Sequence, residues 1–322
     1  MPSLPIVGTG DHRYEVIHNW GELPERYRYG NCHGVCVDLQ GLVYIHQTVH
    51  ETSESDDATI VFDADGKFVK SWGPEFKAGA HGLHLNVENG TEYLYLADHV
   101  RNIVVKTTLD GEEVYALGYP KQSEPYAGEP IKYRPTNVAV APDGDLYIAD
   151  GYGSSYIIQY DATGNYIRTF GGAGASEAES AEPGRLLCPH GIWCDTRGET
   201  PILLVADRKN RRIQRFSLQG EHLGFDYGVN LPCHFHERNG ELVIPDLAAR
   251  VTLLDSNNEV IVHLGEGHTD EADWRSRREK SRDHFESGKF VCPHGACFDA
   301  AGNIFVVEWV EIGRVTKLRK VD

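Results

Sequence analysis

The sequence predicts an all-β protein: a six-bladed β-propeller with four antiparallel strands per blade and an N-terminal strand closing the last blade. Three observations carry this. A strand-rich pattern recurs six times along the 322 residues. The sixth copy stops one strand short, and a segment before the first copy has the shape of the missing piece. The chain holds 34 Gly and one Met, and its apolar residues fall in short runs between turn residues, which favours strands over long helices.

The third copy is the clearest, PTNVAVAPDGDLYIADGYGSSYIIQYDATGNYIRTFG over residues 135–171. An apolar strand leads to a D-G turn, then to LYIAD, then to IIQYD, then to a strand ending in an aromatic and Gly. The first copy aligns as HGVCVDLQGLVYIH, ATIVFDADG and KFVKSWG, and the second as HGLHLNVENGTEYLYLAD, NIVVKTTLDG and EEVYALG. The fourth reads HGIWCDTRGETPILLVAD, RIQRFSLQG and EHLG, and the fifth HFHERNGELVIPD, RVTLLDSNN and EVIVHLG. The sixth, HGACFDAAGNIFVVE and RVTKLRK, lacks its last strand, which YEVIHNWG at 14–21 supplies. A single propeller over 1–322 follows, with blades at about 30–73, 78–118, 134–171, 188–224, 231–265 and 292–320 plus 14–21. Closing the ring this way leaves few exposed sheet edges. Inserts at 119–134, 173–187 and 266–291 lie between blades and should rise over one face. The last carries the charged stretch DEADWRSRREKSRDHFESG, expected as a short helix in a solvated lid.

Composition narrows function. With 31 Lys plus Arg against 48 Asp plus Glu, the net charge is −17, which disfavours nucleic acid and anionic membranes as partners. No apolar run is long enough to span a bilayer, and the first residues lack a signal-peptide pattern. The seven cysteines show no disulfide spacing and read as small buried hydrophobes. A cytoplasmic location is the expectation.

In a propeller the first strand of each blade lines the channel, so the residues leading those strands should ring its mouth. They are His33, His81, Asn137, His190, His234 and His294. One histidine there suits a strand cap, but five of six at equivalent positions point to metal ligation. Blades two, four and six stand about 120° apart in this fold class. Their residues His81, His190 and His294 therefore form the expected metal trio, with an open position for a substrate. His33 and His234 are expected to support that site or to bind substrate. Tyr152 and Arg208 follow the ends of second strands and should share this face. A phenol near a metal and a guanidinium ionises more readily and can act as a general base. Asp98, Asp150, Asp207, Asp246 and Glu308 recur at the ends of second strands, as turn caps would. Trp309 is expected as a wall for the substrate.

LYIADGYGSSYIIQYDATGNYIRTFG and PHGIWCDTRGETPILLVADRKNRRIQRF resemble consecutive blades of peptidyl-hydroxyglycine (peptidylamidoglycolate) lyase, a six-bladed propeller of NHL-repeat type. The resemblance implies a zinc on His81, His190 and His294, a catalytic Tyr152 and an active-site Arg208. It also implies cleavage of a carbinolamide C–N bond to an amide and glyoxylate. Three histidines with open positions equally suit Mn, Fe, Co, Ni or Cu. The chain departs from the family where His46 is followed by Gln47 rather than arginine. It departs again at Gly295, where the family has an acidic residue, and this leaves a structural calcium open. His46, Gln47, Asn137 and Trp309 join His33 and His234 as residues expected to touch a small-molecule substrate or to support the metal. A metal-dependent hydrolase such as a lactonase, a sugar-modifying enzyme and a non-catalytic NHL interaction propeller are the alternatives.

Overall fold

The computed structural model describes residues 3–128 and 132–321; residues 129–131, within the insert at 119–134, and the terminal residues 1, 2 and 322 lie outside them. The chain folds as six antiparallel sheets, the blades of a six-bladed propeller. Five sheets have four strands and the sixth has five. His81–Pro232 forms one compact unit holding blades two to four; Met1–Ala80 with Cys233–Asp322 forms the other, holding blades five, six and one.

Second strands such as Ile202–Asp207 are buried on both faces, and Leu203, Leu204, Val205 and Ala206 are each fully buried. That explains continuous apolar runs where a half-exposed strand would alternate. Adjacent blades share their cores. In the His81–Pro232 unit, Ala97 of blade two packs with Val138 and Ile148 of blade three. Tyr147 and Ala149 of blade three pack in turn with Ile192 and Val205 of blade four. In the other unit, Val243 and Leu253 of blade five meet Val306 and Leu318 of blade six. Phe305 and Val307 of blade six meet Val35 and Ile45 of blade one. The turns obey their sequence. Asp161 Oδ1 accepts the N–H groups of Thr163 (2.8 Å) and Asn165 (2.9 Å), and Asp299 does the same for Ala301 and Asn303, which is the local bonding that favours Asp at such positions.

The closing strand is present. His12–His18 pairs with Arg314–Lys320 in a register that sets Val16 against Leu318 and His18 against Thr316. Its alternation buries Tyr14 and Val16 in the blade-six core, roughly 2 kcal/mol for each side chain. Beyond it, Ile6–Thr9 adds a fifth strand, antiparallel with Ile6 opposite Glu15. This strand was not expected, because Gly8 within it and Gly10 just after it read as loop. Blade five also differs: its first strand is only His236–Arg238, since Leu231 adopts a left-handed φ of 61° and Pro232 follows it. The expected helix forms at Glu271–Arg277, where Asp270 caps the N–H groups of Ala272 and Asp273 and Trp274 is buried.

His18 fixes the closing strand to the last insert. Gly288 N–H donates to its Nε2 (3.1 Å), and its Nδ1–H donates to Thr316 Oγ1 (2.9 Å). Burial first, and then the Arg314 charge, push its pKa from 6.5 down to about 4. The folded state therefore holds His18 neutral, and protonating Nε2 would remove the Gly288 bond. Stability from this group is complete above pH 6.5 and is lost as pH falls toward 4, by about 3 kcal/mol. A His18→Gln variant, followed by urea denaturation from pH 7 to 4, is expected to lose less stability over that range than the wild type. Parallel curves would show that another group sets the acid limb.

Candidate active site

Within the His81–Pro232 unit, blades two, three and four bring four predicted residues together. His81 enters on Ala80–Glu88, His190 on Pro189–Asp195, Tyr152 follows Leu146–Ala149, and Arg208 follows Ile202–Asp207. Tyr152 Oη lies 3.1 Å from His81 Nε2 and 3.2 Å from His190 Nε2. The two imidazole rings are 4.8 Å apart between centroids. The Arg208 guanidinium carbon stands 5.3 Å from the centre of the Tyr152 ring. His81 and His190 are buried and Arg208 is nearly so.

The backbone sets the protons. His81 Nδ1–H donates to Thr136 O at 2.7 Å, so in the neutral ring Nε2 carries the lone pair. Tyr152 has one proton to share between two imidazole nitrogens. Thr136 Oγ1 donates to Pro189 O (3.0 Å), so one residue links the strands that carry His81, Tyr152 and His190. The repeated His-Gly pair also has a cause. A Cβ on Gly82 would stand 2.3 Å from Thr136 O, and one on Gly295 would stand 2.7 Å from His33 O. The glycine lets each histidine strand pass against the backbone of its neighbour.

In the other unit, His294 Nδ1–H donates to His33 O at 3.0 Å, and His294 Nε2 faces His33 Nδ1 at 3.4 Å. The Cys233 sulfur lies within 4.8 Å of a His294 ring nitrogen. All three are buried. His234 Nδ1–H donates to Ala296 O (3.2 Å). The Trp309 backbone N–H donates to Cys292 O (2.8 Å), two residues before His294, and its ring centre lies 3.7 Å from the Arg278 guanidinium carbon. His46 is buried in blade one, with Nδ1 2.9 Å from Thr59 Oγ1 and its ring edge on Phe76. Gln47 bonds backbone at both ends, accepting from Gly30 N–H (2.9 Å) and donating to Asp57 O (3.2 Å). Back in the His81–Pro232 unit, Asn137 Oδ1 accepts the Val138 N–H (2.8 Å).

The donor chemistry fits a transition metal. His81 and His294 each commit Nδ1–H to a carbonyl, which leaves Nε2 as the ligand atom, the arrangement found around metal-bound imidazoles. Neutral imidazole and thiolate are its usual ligands.

Two features were not assigned from sequence. His99 sets its ring edge on His81 (5.5 Å) and Tyr152 (5.7 Å). Cys188 takes a left-handed φ of 60° and accepts a hydrogen bond from Arg208 Nη2 at 3.1 Å, so it is more than a small hydrophobe. Its place in CPHG, two residues before His190, was the available signal. The acids ending the second strands are buried caps. Asp150 accepts Arg134 N–H (2.6 Å) and Tyr126 O–H (2.6 Å), Asp207 accepts Leu187 N–H (2.8 Å), and Glu308 accepts Val291 N–H (2.7 Å). Each insert therefore docks onto the acid of the blade that follows it. All seven cysteines are buried, and none of them forms a disulfide. Among the described residues, no helix is long and apolar enough to cross a membrane.

No protein-family model matches the chain. It is similar to a probable peptidyl-α-hydroxyglycine α-amidating lyase of Caenorhabditis elegans, 29% identical over 58% of this chain and 53% of that protein. It is also similar to human NHL repeat-containing protein 3, 29% identical over 66% of this chain and 59% of the relative. These matches span little more than half of the relatives' length. Among solved structures, a gluconolactonase from Xanthomonas campestris superimposes with a TM-score of 0.62 at 14% identity, covering 98% of this chain and 95% of that one. At that identity the likeness concerns the fold.

Proposed function

We propose that the chain is a metal-dependent lyase that cleaves a small hydroxylated substrate of the carbinolamide type. The observation that carries this reading is the Tyr152 hydroxyl, held between His81 Nε2 and His190 Nε2 with Arg208 against its ring. The similarity to proteins named as amidating lyases supports it. His81 and His190 would hold the metal, with His294 as the third ligand assigned from the blade spacing. A bound zinc, or another divalent transition metal, would act as a Lewis acid on a substrate oxygen.

The protein's own residues supply the proton chemistry. Tyr152, as phenolate, takes the proton of the substrate hydroxyl. The C–O bond becomes a carbonyl, the C–N bond breaks, and Tyr152 returns the proton to the departing amide nitrogen. Arg208 places positive charge beside the phenolate and beside any carboxylate on the substrate. Thr136 holds the His81 ring, and Cys188 holds the guanidinium. With Gln47 in place of the blade-one arginine, the substrate's negative charge falls to Arg208.

Metal content of untagged protein tests the reading. About one transition metal per chain is expected, and the His81/His190/His294→Ala variant should carry none. An N-acyl-α-hydroxyglycine should then yield amide and glyoxylate without taking up oxygen from labelled water, whereas a hydrolase would incorporate it. No metal in either protein after reconstitution would leave a non-catalytic interaction propeller as the better account.

A further inference from the structure

The strands that carry His81, Asn137 and His190 at their starts have a second feature at their other ends. Residues 84–89, 140–144, 193, 194 and 196 border a cavity of about 520 Å³. Trp193 stands in its wall, edge to face with the buried His84 ring at 5.5 Å. The charged side chains among its lining residues are Glu88 and Asp143, and no Lys or Arg is among that lining.

One ammonium already sits behind this wall. Lys106 Nζ lies 2.5 Å from Glu88 Oε2 and 4.2, 5.4 and 5.7 Å from the ring centres of Tyr93, Tyr95 and Tyr115. Carboxylate and aromatic faces together stabilise a cation that has lost its water. Lys106 neutralises Glu88, so Asp143 is the remaining counter-charge on the lining. Asp143 sits on an exposed turn and accepts the Asp145 N–H at 3.1 Å. Its charge reaches inward: burial pushes the Asp145 carboxyl and the Cys194 thiol up, and Asp143 adds to both.

We propose that this cavity is a binding site for a small organic ammonium ion, seated against the Trp193 indole and paired with Asp143. The site shares no side chain with the proposed chemistry at the opposite strand ends, so either can stand without the other.

Titration calorimetry on the full chain tests it, with choline as the probe and 3,3-dimethylbutan-1-ol as its neutral isostere. Choline is expected to bind saturably, and the isostere at least about tenfold more weakly. Asp143→Asn keeps the acceptor for the Asp145 N–H and should weaken choline about tenfold. Trp193→Leu should do the same, with near-ultraviolet circular dichroism as the check on its fold. Lack of saturable choline binding, equal binding of the isostere, or an unchanged affinity in Asp143→Asn would each overturn the proposal. The last arm does not depend on the tryptophan variant folding.

Discussion

Replacing Tyr152 by phenylalanine is expected to lower turnover of an N-acyl-α-hydroxyglycine by about 10²–10⁴, the range for loss of a general base, while leaving the fold and the metal content unchanged. The substitution removes one oxygen. The ring keeps its packing against His81, His190 and His99, at centroid distances of 4.9, 5.5 and 5.7 Å, and the Tyr152 backbone N–H still donates to Arg134 O (3.3 Å). Because Tyr152 is not among the expected metal ligands, the variant separates proton transfer from metal binding. A His190→Ala variant should lose both metal and turnover; Tyr152→Phe should lose turnover alone. Should the phenylalanine variant turn over at the wild-type rate with its metal retained, Tyr152 is a rim aromatic and the base lies elsewhere. Arg208→Met adds a second reading, since it removes the charge while keeping an unbranched chain against the ring. If Arg208 chiefly binds a substrate carboxylate, KM rises most; if it chiefly steadies the phenolate, kcat falls most.

The six repeats were legible because each blade has the same physical problem. Its second strand is buried on both faces and must be apolar throughout, as LLVA at 203–206 is, and its turns need Asp and Gly at fixed places. The His-Gly pairs were legible as a pattern, but their cause was not. That cause is the approach of Thr136 O to Gly82, a contact between residues far apart in sequence. Tyr152 and Arg208 could be placed on one face by topology, whereas their separation of 5.3 Å depends on side-chain directions that spacing does not encode. Cys188 was hidden by its chemistry. A buried cysteine usually packs as a hydrophobe, and only its left-handed backbone and the Arg208 hydrogen bond mark it out. The extra strand at Ile6–Thr9 was hidden by its glycines. It pairs along one side with His12–His18, and a single pairing leaves a weak pattern in so short a segment.

Asp207→Ala is expected to destabilise the protein by roughly 3–5 kcal/mol, the range for stranding a buried ionic partner, read by urea or thermal denaturation at neutral pH. Asp207 is fully buried. Its Oδ1 accepts Leu187 N–H (2.8 Å), and its Oδ2 accepts Arg212 Nε (2.8 Å), Asn210 Nδ2 (2.8 Å) and Gln214 Nε2 (2.9 Å). Arg212 is itself buried, with its guanidinium 4.0 Å from the Phe225 ring centre. Alanine would leave that charge in place without its carboxylate and leave the Leu187 N–H without its acceptor, and both losses count at full desolvation cost. The position also bears on function. Leu187 leads into Cys188 and His190, and Arg208 is the next residue, so an insert loosened at Asp207 should misplace the guanidinium and the proposed metal ligand His190 together. A second variant separates the two contributions. Asp207→Leu combined with Arg212→Met removes the charge pair but still lacks the acceptor for Leu187. If the stranded charge dominates, this double variant should recover most of the stability lost in Asp207→Ala while activity stays low, because the link before His190 remains unanchored. A double variant no more stable than Asp207→Ala would put the weight on the backbone cap instead, and the acids at the ends of the other second strands would then be expected to act chiefly by holding the segments between blades.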